Sequence, residues 1–245
     1  MTRPVPFFVL VAALLFTEAA RASCIFDISD HRIPITTGFA GSEVLLFGTV
    51  DEPSDVVVTL RGPLSSVVMF RKARVAGIWV NAASMTFEEA PSFFSIVASR
   101  PLEEIAAETE LRLHQLGVSY VVDLPRSVGS PDVRDDWKRA MLRNMAGTGL
   151  YPSTIGSVTF LGDTLFRARM RLPSNVPTGQ YLASAYCLVG GKVQSAQTIP
   201  LFVEKTGVEA WIFDFAHDYP LVYGLIAVVL ALMAGWSAHL AFGRS

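Results

Sequence analysis

Apolar and polar residues alternate over short stretches of the first hundred positions, the pattern of strands that bury one face. Five of these runs are rich in β-branched or aromatic residues, and turn formers such as Pro53 and the pair Gly62-Pro63 separate them. The runs cover residues 44–50, 56–60, 67–72, 75–81 and 93–98. Because no helical pattern lies between them, we expect an antiparallel sandwich rather than a parallel α/β sheet.

The alternation returns after residue 165. Residues 166–172 alternate without a fault, with apolar side chains on one face and arginines on the other. Residues 180–189 and 192–203 flank Gly190-Gly191, a pair suited to the type I′ turn of a β-hairpin. A second set of antiparallel strands therefore completes the predicted sandwich.

Between the two sets of strands the apolar residues follow a helical period. One helix is predicted after Pro101, with Gly117 as its C-cap. Its inward positions are Leu102, Ile105, Ala106, Thr109, Leu113 and Leu116. A second helix has Ser130 as N-cap and Pro131 in its first position. Its apolar face is Val133, Trp137, Ala140, Met141 and Met145.

These elements predict a mainly β fold class. We expect an immunoglobulin-like antiparallel β-sandwich over residues 23–210, with a two-helix insertion at about 101–149. The domain lies between two apolar ends of the chain, and each end predicts a contact with a membrane.

The N-terminal segment has the pattern of an export signal. Arg3 supplies a positive charge, and the apolar residues 5–16 follow it. Ala20 and Ala22 are small residues suited to a cleavage site before Ser23. So short an apolar run cannot cross a hydrocarbon core of about 30 Å as a helix. We therefore predict a cleaved signal peptide at 1–22 and a domain outside the cytoplasm.

The C-terminal segment predicts a membrane anchor. Residues 219–242 contain no Asp, Glu, Lys or Arg, and as a helix they would extend over about 36 Å. A juxtamembrane connector at 211–218 precedes them, and the tail at 243–245 contains Arg244. We expect a type I single-pass protein of the inner membrane, with its soluble domain in the periplasm and a short cytoplasmic tail.

Composition supports attachment to a membrane and argues against a nucleic-acid partner. Of the 245 residues, 51% are hydrophobic and 17% are charged, and the mean hydropathy is +0.41. The formal net charge is −2, whereas nucleic-acid binding requires a clear basic surplus. The partners we expect are the membrane bilayer and another integral membrane protein.

The chain has two cysteines, Cys24 and Cys187. An even number of cysteines in an exported protein indicates a disulfide. On chain-entropy grounds, closing so long a loop would stabilise the fold by about 4–5 kcal/mol. Two buried free thiols are the alternative.

The run RKARVAGIWVN, residues 71–81, joins a basic cluster to an apolar strand. Both faces of the strand are apolar, which predicts a central strand with Trp79 in the core and with Gly77 leaving room for a neighbouring side chain. Arg71, Lys72 and Arg74 would lie at the turn before this strand. There they would bind an oxyanion or a lipid headgroup, or form an ordinary solvated turn.

A row of three arginines, Arg167, Arg169 and Arg171, is the second candidate for anion binding. Alternate residues on a strand lie about 6.6–7 Å apart on one face, so the three guanidinium groups would face the same side. The alternative is a polar, solvent-facing strand whose charges discourage edge pairing.

Small residues recur every fourth position in the predicted span. They are Ala227, Ala231 and Gly235, and His239 continues the series. Such a stripe lets two membrane helices approach closely, although alanine is also common in spans by chance.

No catalytic, cofactor or metal-binding motif is recognisable in the sequence. The four histidines are far apart, and the chain has no G-x-S-x-G, H-E-x-x-H or C-x-x-C pattern. We expect a protein that is not an enzyme and that has no cofactor and no metal site.

Three segments carry a resemblance to a known family: GFAGSEVLLFG at 38–48, RVAGIWVN at 74–81 and APSFFSIVASRPL at 90–102. With the final single span, they resemble the alphaproteobacterial transmembrane protein family. The resemblance implies an exported, single-span protein and attaches no activity to it. It also implies a candidate partner, because members are often encoded beside sulfite-exporter-type permeases.

Together these features favour a non-enzymatic, membrane-anchored periplasmic accessory or interaction module, with a sulfite-exporter-type permease as the candidate partner. The alternative is a periplasmic module that binds an anion or a metal and presents it to a membrane partner.

Overall fold

The computed structural model describes residues 24–124 and 129–242 of the chain. The predicted signal peptide at 1–22 and the tail at 243–245 lie outside the described residues. The strands are β1 Cys24–Ile28, β2 Arg32–Ile35, β3 Ser42–Val50, β4 Asp55–Arg61, β5 Leu64–Val75, β6 Ile78–Pro91, β7 Phe94–Ala98, β8 Gly156–Leu161, β9 Leu165–Leu172, β10 Gly179–Val189 and β11 Lys192–Lys205. The helices are α1 Leu102–Ile105, α2 Glu108–Leu113, α3 Pro131–Gly147, α4 Val208–Asp218 and α5 Pro220–Phe242.

Nine strands form one curled sheet in the order β1-β3-β9-β8-β7-β4-β10-β11-β2. The curl brings the inner faces of β1, β3 and β9 against those of β4, β10 and β11, and a first hydrophobic core fills the space between them. The mainly β class is confirmed. Two pairs, β7 with β8 and β11 with β2, are parallel, where the prediction was antiparallel throughout. The immunoglobulin-like assignment stays a prediction.

The hairpin predicted around Gly190-Gly191 is present. Strands β10 and β11 pair antiparallel on either side of it. Both glycines have positive φ, 57° and 82°, as a type I′ turn requires.

A second core lies on the outer face of β7, β4 and β10. Here α1, α2 and α3 cover the sheet and bury Leu102, Leu111, Trp137 and Met141. Strand β4 is therefore the central strand of the molecule, because Val56 and Val58 face the first core and Val57 faces the second. Because both faces of β4 are buried, its sequence contains the unbroken apolar run Val56, Val57 and Val58.

The first predicted helix is wrong as a single element. Extended backbone at Ala106, with φ −152° and ψ 158°, divides it into α1 and α2. Ile105 and Leu111 are both buried, yet six residues of unbroken helix would turn them about 240° apart. The break lets both reach the core and leaves Leu113, predicted to face inward, 72% exposed. Helix α2 also ends before the predicted C-cap at Gly117.

The second predicted helix is present as α3, with Ser130 as N-cap and Pro131 in its first position. Trp137, Met141 and Met145 are buried as expected, whereas Val133 is exposed.

The prediction of a central strand at RVAGIWVN is wrong. Strands β5 and β6 pair with each other in a separate two-stranded sheet and form a long hairpin; we call residues 64–91 the β-arm. Trp79, predicted to fill the core, is 66% exposed. No neighbouring side chain fills the space beside Gly77, since a Cβ added there would meet nothing within 4 Å. Its φ of +84° shows that it is needed for the turn.

The C-terminal anchor agrees with the sequence pattern. The stretch Pro220–His239 of α5 is long and apolar enough to cross a membrane, and none of it is buried inside the structure. The predicted connector is itself helical, because 211–218 lies within α4.

Candidate functional site

The β-arm emerges from the end of the sandwich at which the chain departs for the membrane span. Pro63, just before β5, packs on Gly179, where an added Cβ would lie 2.9 Å from the proline Cγ. Gly179 in turn pairs with Val203 near the end of β11. Helix α4 begins at Val208 and leads into α5. We call this end of the sandwich the membrane-proximal end.

The base of the β-arm is fixed to the second core. Phe87 is buried there, and Met69 and Met85, paired across the two strands, are half-buried against it. The Tyr151 hydroxyl donates a hydrogen bond to the Pro91 carbonyl oxygen at 2.7 Å. Burial raises the pKa of Tyr151 far above its ordinary value, so the hydroxyl keeps its proton and remains a donor.

The outer half of the β-arm is exposed. Arg71 at its start contacts the second core: the Arg71 Cζ lies 4.9 Å from the centre of the Trp137 ring. We call residues 70–81 the arm tip. Every residue of the arm tip is exposed except the half-buried Ala73. Five large apolar side chains are among them: Phe70, Val75, Ile78, Trp79 and Val80, at 55%, 57%, 69%, 66% and 40% exposure.

A two-residue turn closes the arm tip. Ala76 and Gly77 both have positive φ, 49° and 84°, which is the geometry of a type I′ turn. Arg74 Nε donates to the Gly77 carbonyl oxygen at 3.3 Å. The strand register places Arg74 opposite Trp79 and Lys72 opposite Asn81. Since alternate residues share a face, these four side chains lie on the same side of the arm tip.

The position predicted for the first basic cluster is therefore corrected. Arg71, Lys72 and Arg74 lie on β5 and not at a turn before the strand. Arg71 points toward Trp137, while Lys72 and Arg74 belong to the opposite face. Anion binding by these three residues stays a prediction.

The arginine row is arranged as the alternation predicts. Arg167, Arg169 and Arg171 are exposed on β9. Glu43 on the neighbouring strand β3 lies 3.5 Å from Arg169 Nε and 3.7 Å from Arg171 Nε. The carboxylate offsets part of the positive charge, and the three guanidinium groups still face one side.

The structure keeps the two basic sets apart. The arginine row lies on the outer face of β3 and β9, whose inner face covers the first core. The β-arm is attached to the second core, on the outer face of β4, β7 and β10. Both layers of the curled sheet separate them, so they form two surfaces rather than one site.

A cleft of about 1030 Å³ lies between the membrane-proximal end and α4. Its wall includes four threonines and two phenylalanines: Thr36, Thr37, Thr178, Thr206, Phe202 and Phe213. Sequence reasoning missed this cleft, because the segment that supplies Phe213 had the pattern of a plain connector.

Cys24 and Cys187 form a disulfide that joins β1 to β10, which confirms the predicted pair. Across the described ranges, 24–124 and 129–242, no three His, Cys, Asp or Glu side chains are grouped closely enough to hold a metal ion.

The small-residue stripe follows α5. Ala227, Ala231, Gly235 and His239 are all exposed, and a Cβ added to Gly235 would meet nothing within 4 Å. Within the described chain, α4 makes the main contacts with this helix.

The arm tip is the feature that the sequence pattern placed wrongly. Val75, Ile78, Trp79 and Val80 were assigned to a central strand because both faces of the run 75–81 are apolar. The composition of the arm tip contained a signal: residues 70–81 include three basic residues and no acidic one. Lys and Arg side chains are rarely buried without a partner, so three basic residues in one short run without an acidic one argue against a buried strand.

A comparison with protein families places these features in a known group. The family described as "Putative transmembrane protein (Alph_Pro_TM)" matches residues 23–244. The comparison with curated proteins gave no match.

Proposed function

The chain belongs to this transmembrane protein family, and from that premise we propose that it is a non-enzymatic, membrane-anchored accessory module. It assists another integral membrane protein, and a permease of the sulfite-exporter type is the candidate partner. The proposal places the anchor in the inner membrane and the sandwich in the periplasm. The disulfide supports that placement, because such bonds persist in oxidising compartments.

One observation carries the proposal: the stretch Pro220–His239 of α5 is exposed throughout. A span with no covering helix from its own chain is free to pack against a partner in the bilayer. Its small-residue stripe, Ala227, Ala231 and Gly235, offers the surface for close approach. Packing between membrane helices depends on such close contact, because lipid tails are as apolar as the side chains they would replace.

The lining of the cleft between the membrane-proximal end and α4 is consistent with a role other than catalysis. Among the described residues, its wall contains hydroxyl, amide and phenyl groups and the charged pair Glu204 and Lys205. Neither a histidine nor a cysteine belongs to this wall, and these are common sources of a general base or a nucleophile.

The test replaces Gly235 by leucine in the full-length protein. Gly235→Leu adds a bulky side chain to the stripe and should abolish co-purification of the membrane partner after mild-detergent extraction and native electrophoresis. The matched control is Ser237→Leu, which adds a similar side chain about 200° around the same helix. If Gly235→Leu leaves every membrane complex intact, the span does not make the contact.

The alternative, an anion-binding module, is favoured by the arginine row on β9. Calorimetry of the full-length protein in nanodiscs with sulfite, sulfate and phosphate tests it, and Arg167→Gln/Arg171→Gln should abolish any heat. A signal unchanged by the double variant would place anion binding elsewhere.

A further inference from the structure

We propose that the arm tip docks on the surface of an anionic phospholipid bilayer and gives the domain a second membrane contact besides α5. This inference goes beyond the proposed function, because it concerns lipid and the β-arm rather than a protein partner and the span.

The apolar residues of the arm tip have the composition of a membrane-interface contact. Trp79 is two-thirds exposed, and indole is the side chain that most favours the boundary between headgroups and acyl chains. Ile78 is its neighbour on the other face, and Val75 is paired with Ile78 across the turn. Left in water, these side chains form an exposed apolar end that the fold itself does not cover.

The charges around that apolar end specify an anionic partner. Lys72 and Arg74 share the face of Trp79, and Arg71 is one residue away on β5. No acidic residue occurs between positions 64 and 87 to neutralise them. Basic side chains beside an apolar tip match a surface with phosphate groups above acyl chains, and each contributes to binding near anionic lipid.

The β-arm starts from the same end of the domain as the membrane anchor. It starts at the membrane-proximal end, where Pro63 packs on Gly179. Its twelve-residue strand β5 extends about 40 Å at ~3.3 Å per residue. The same end of the sandwich leads through α4 into the membrane span α5, so the β-arm and the anchor start from one end of the domain.

The backbone of the arm tip limits how deeply it penetrates. In the described structure β5 and β6 pair with each other alone, so each strand has one open edge. Unpaired N–H and C=O groups cannot enter the hydrocarbon core without a large cost. The arm tip therefore lies in the headgroup region, with Trp79 and Ile78 at the upper acyl boundary.

The experiment measures Trp79 fluorescence of the full-length protein in nanodiscs made with ordinary or dibrominated lipid. The signal of Trp79 is the difference between the wild type and Trp79→Phe, which separates it from Trp137, Trp211 and Trp236. In discs that contain phosphatidylglycerol, this difference signal should be blue-shifted and quenched by the bromines. A Trp79 signal that stays red-shifted and unquenched in these discs would overturn the proposal.

A charge variant tests the electrostatic part. Lys72→Gln/Arg74→Gln should lower the ratio of docked to undocked arm tip by about 30-fold, from two phosphate-attracted charges. Arg167→Gln/Arg171→Gln removes the same charge from the other surface and should leave the quenching unchanged. An equal loss of Trp79 quenching in both double variants would show a nonspecific attraction between the protein's positive charge and the lipid, and would overturn the proposal. Retention of the disulfide on non-reducing gels verifies that each variant is folded.

Two further outcomes distinguish binding of the arm tip to lipid from binding to a protein. If the Trp79 signal shifts to the blue only when membrane proteins are added, with no quenching by brominated lipid, then the arm tip binds protein and the lipid proposal is wrong. Gly235→Leu should leave the quenching unchanged, so failure of the span contact and failure of arm docking are distinguishable.

Discussion

At the scale of single residues, Asp55 connects the start of the central strand to the segment after β7. Its Oδ1 accepts a hydrogen bond from Arg100 Nε at 2.8 Å and from Ser99 Oγ at 2.9 Å. The hydrogen bond from Arg100 lowers the pKa of the carboxyl below its usual value of 3.8, although partial burial acts in the opposite direction.

This lowered pKa predicts a loss of stability in acid. The folded state favours the ionised carboxylate, so its contribution is present above about pH 4 and is lost as the pH falls through the lowered pKa. Asp55→Asn should therefore flatten the pH dependence of the denaturant midpoint between about pH 4 and pH 2, measured in detergent micelles. Asp51→Asn, in the exposed turn before β4, is the control and should keep the wild-type profile. Identical profiles for Asp55→Asn and the wild type would contradict the role of Asp55.

At the scale of elements, β4 contains a buried polar group that has no hydrogen-bond partner among the described residues. Thr59 is completely buried, and its Oγ1 has no hydrogen-bond partner among the described residues. Its neighbours across the sheet are Ile96 and Ser184. The Ser184 hydroxyl is already bonded to Thr198 Oγ1 at 2.8 Å.

Replacing this hydroxyl by a methyl group should stabilise the protein. Thr59→Val keeps the shape of the side chain and removes an unpaired buried group, so the free energy of unfolding should rise by about 1–2 kcal/mol. Thr198→Val is the matched control, since it removes the partner of Ser184 and should lower the free energy of unfolding by up to about 1 kcal/mol. Chemical denaturation gives both values. A destabilised Thr59→Val would show that the hydroxyl has a partner, such as a buried water.

The same strand shows what the sequence pattern can and cannot predict. Alternation identified β9, because its apolar side chains are buried and its arginines are exposed. The Gly190-Gly191 pair identified the β10–β11 hairpin. The runs at 56–60 and 75–81 are both apolar on two faces, yet the first is the central strand and the second is the arm tip. Periodicity describes the faces of a strand, and what covers them depends on distant elements such as α3. Breaks such as Ala106 escape prediction for the same reason.

At the scale of the whole molecule, the basic residues were identified from the sequence but their grouping was not. Arg167 and Arg171 share a face because strand geometry alone fixes that relation. Arg71 and Lys72 were expected to act together, but Arg71 contacts Trp137 and the alternation along β5 places Lys72 on the opposite face. Which surfaces lie together depends on the curl of the nine-stranded sheet, which brings residues from the two ends of the domain into one core. No local pattern contains that information.

The disulfide is a covalent link between two strands that the curl of the sheet brings together, β1 and β10. Cys24 and Cys187 are 163 residues apart in sequence and are both buried in the first core. Cys24→Ala/Cys187→Ala should lower the free energy of unfolding by about 4–5 kcal/mol, because the unfolded chain is no longer constrained. Denaturant unfolding of the full-length protein in micelles, with and without a thiol reductant, measures this loss. The reductant should shift the wild type toward the double variant and leave the double variant unmoved. A wild-type midpoint unchanged after complete reduction would show that chain closure contributes little and that packing of the first core holds β1 against β10.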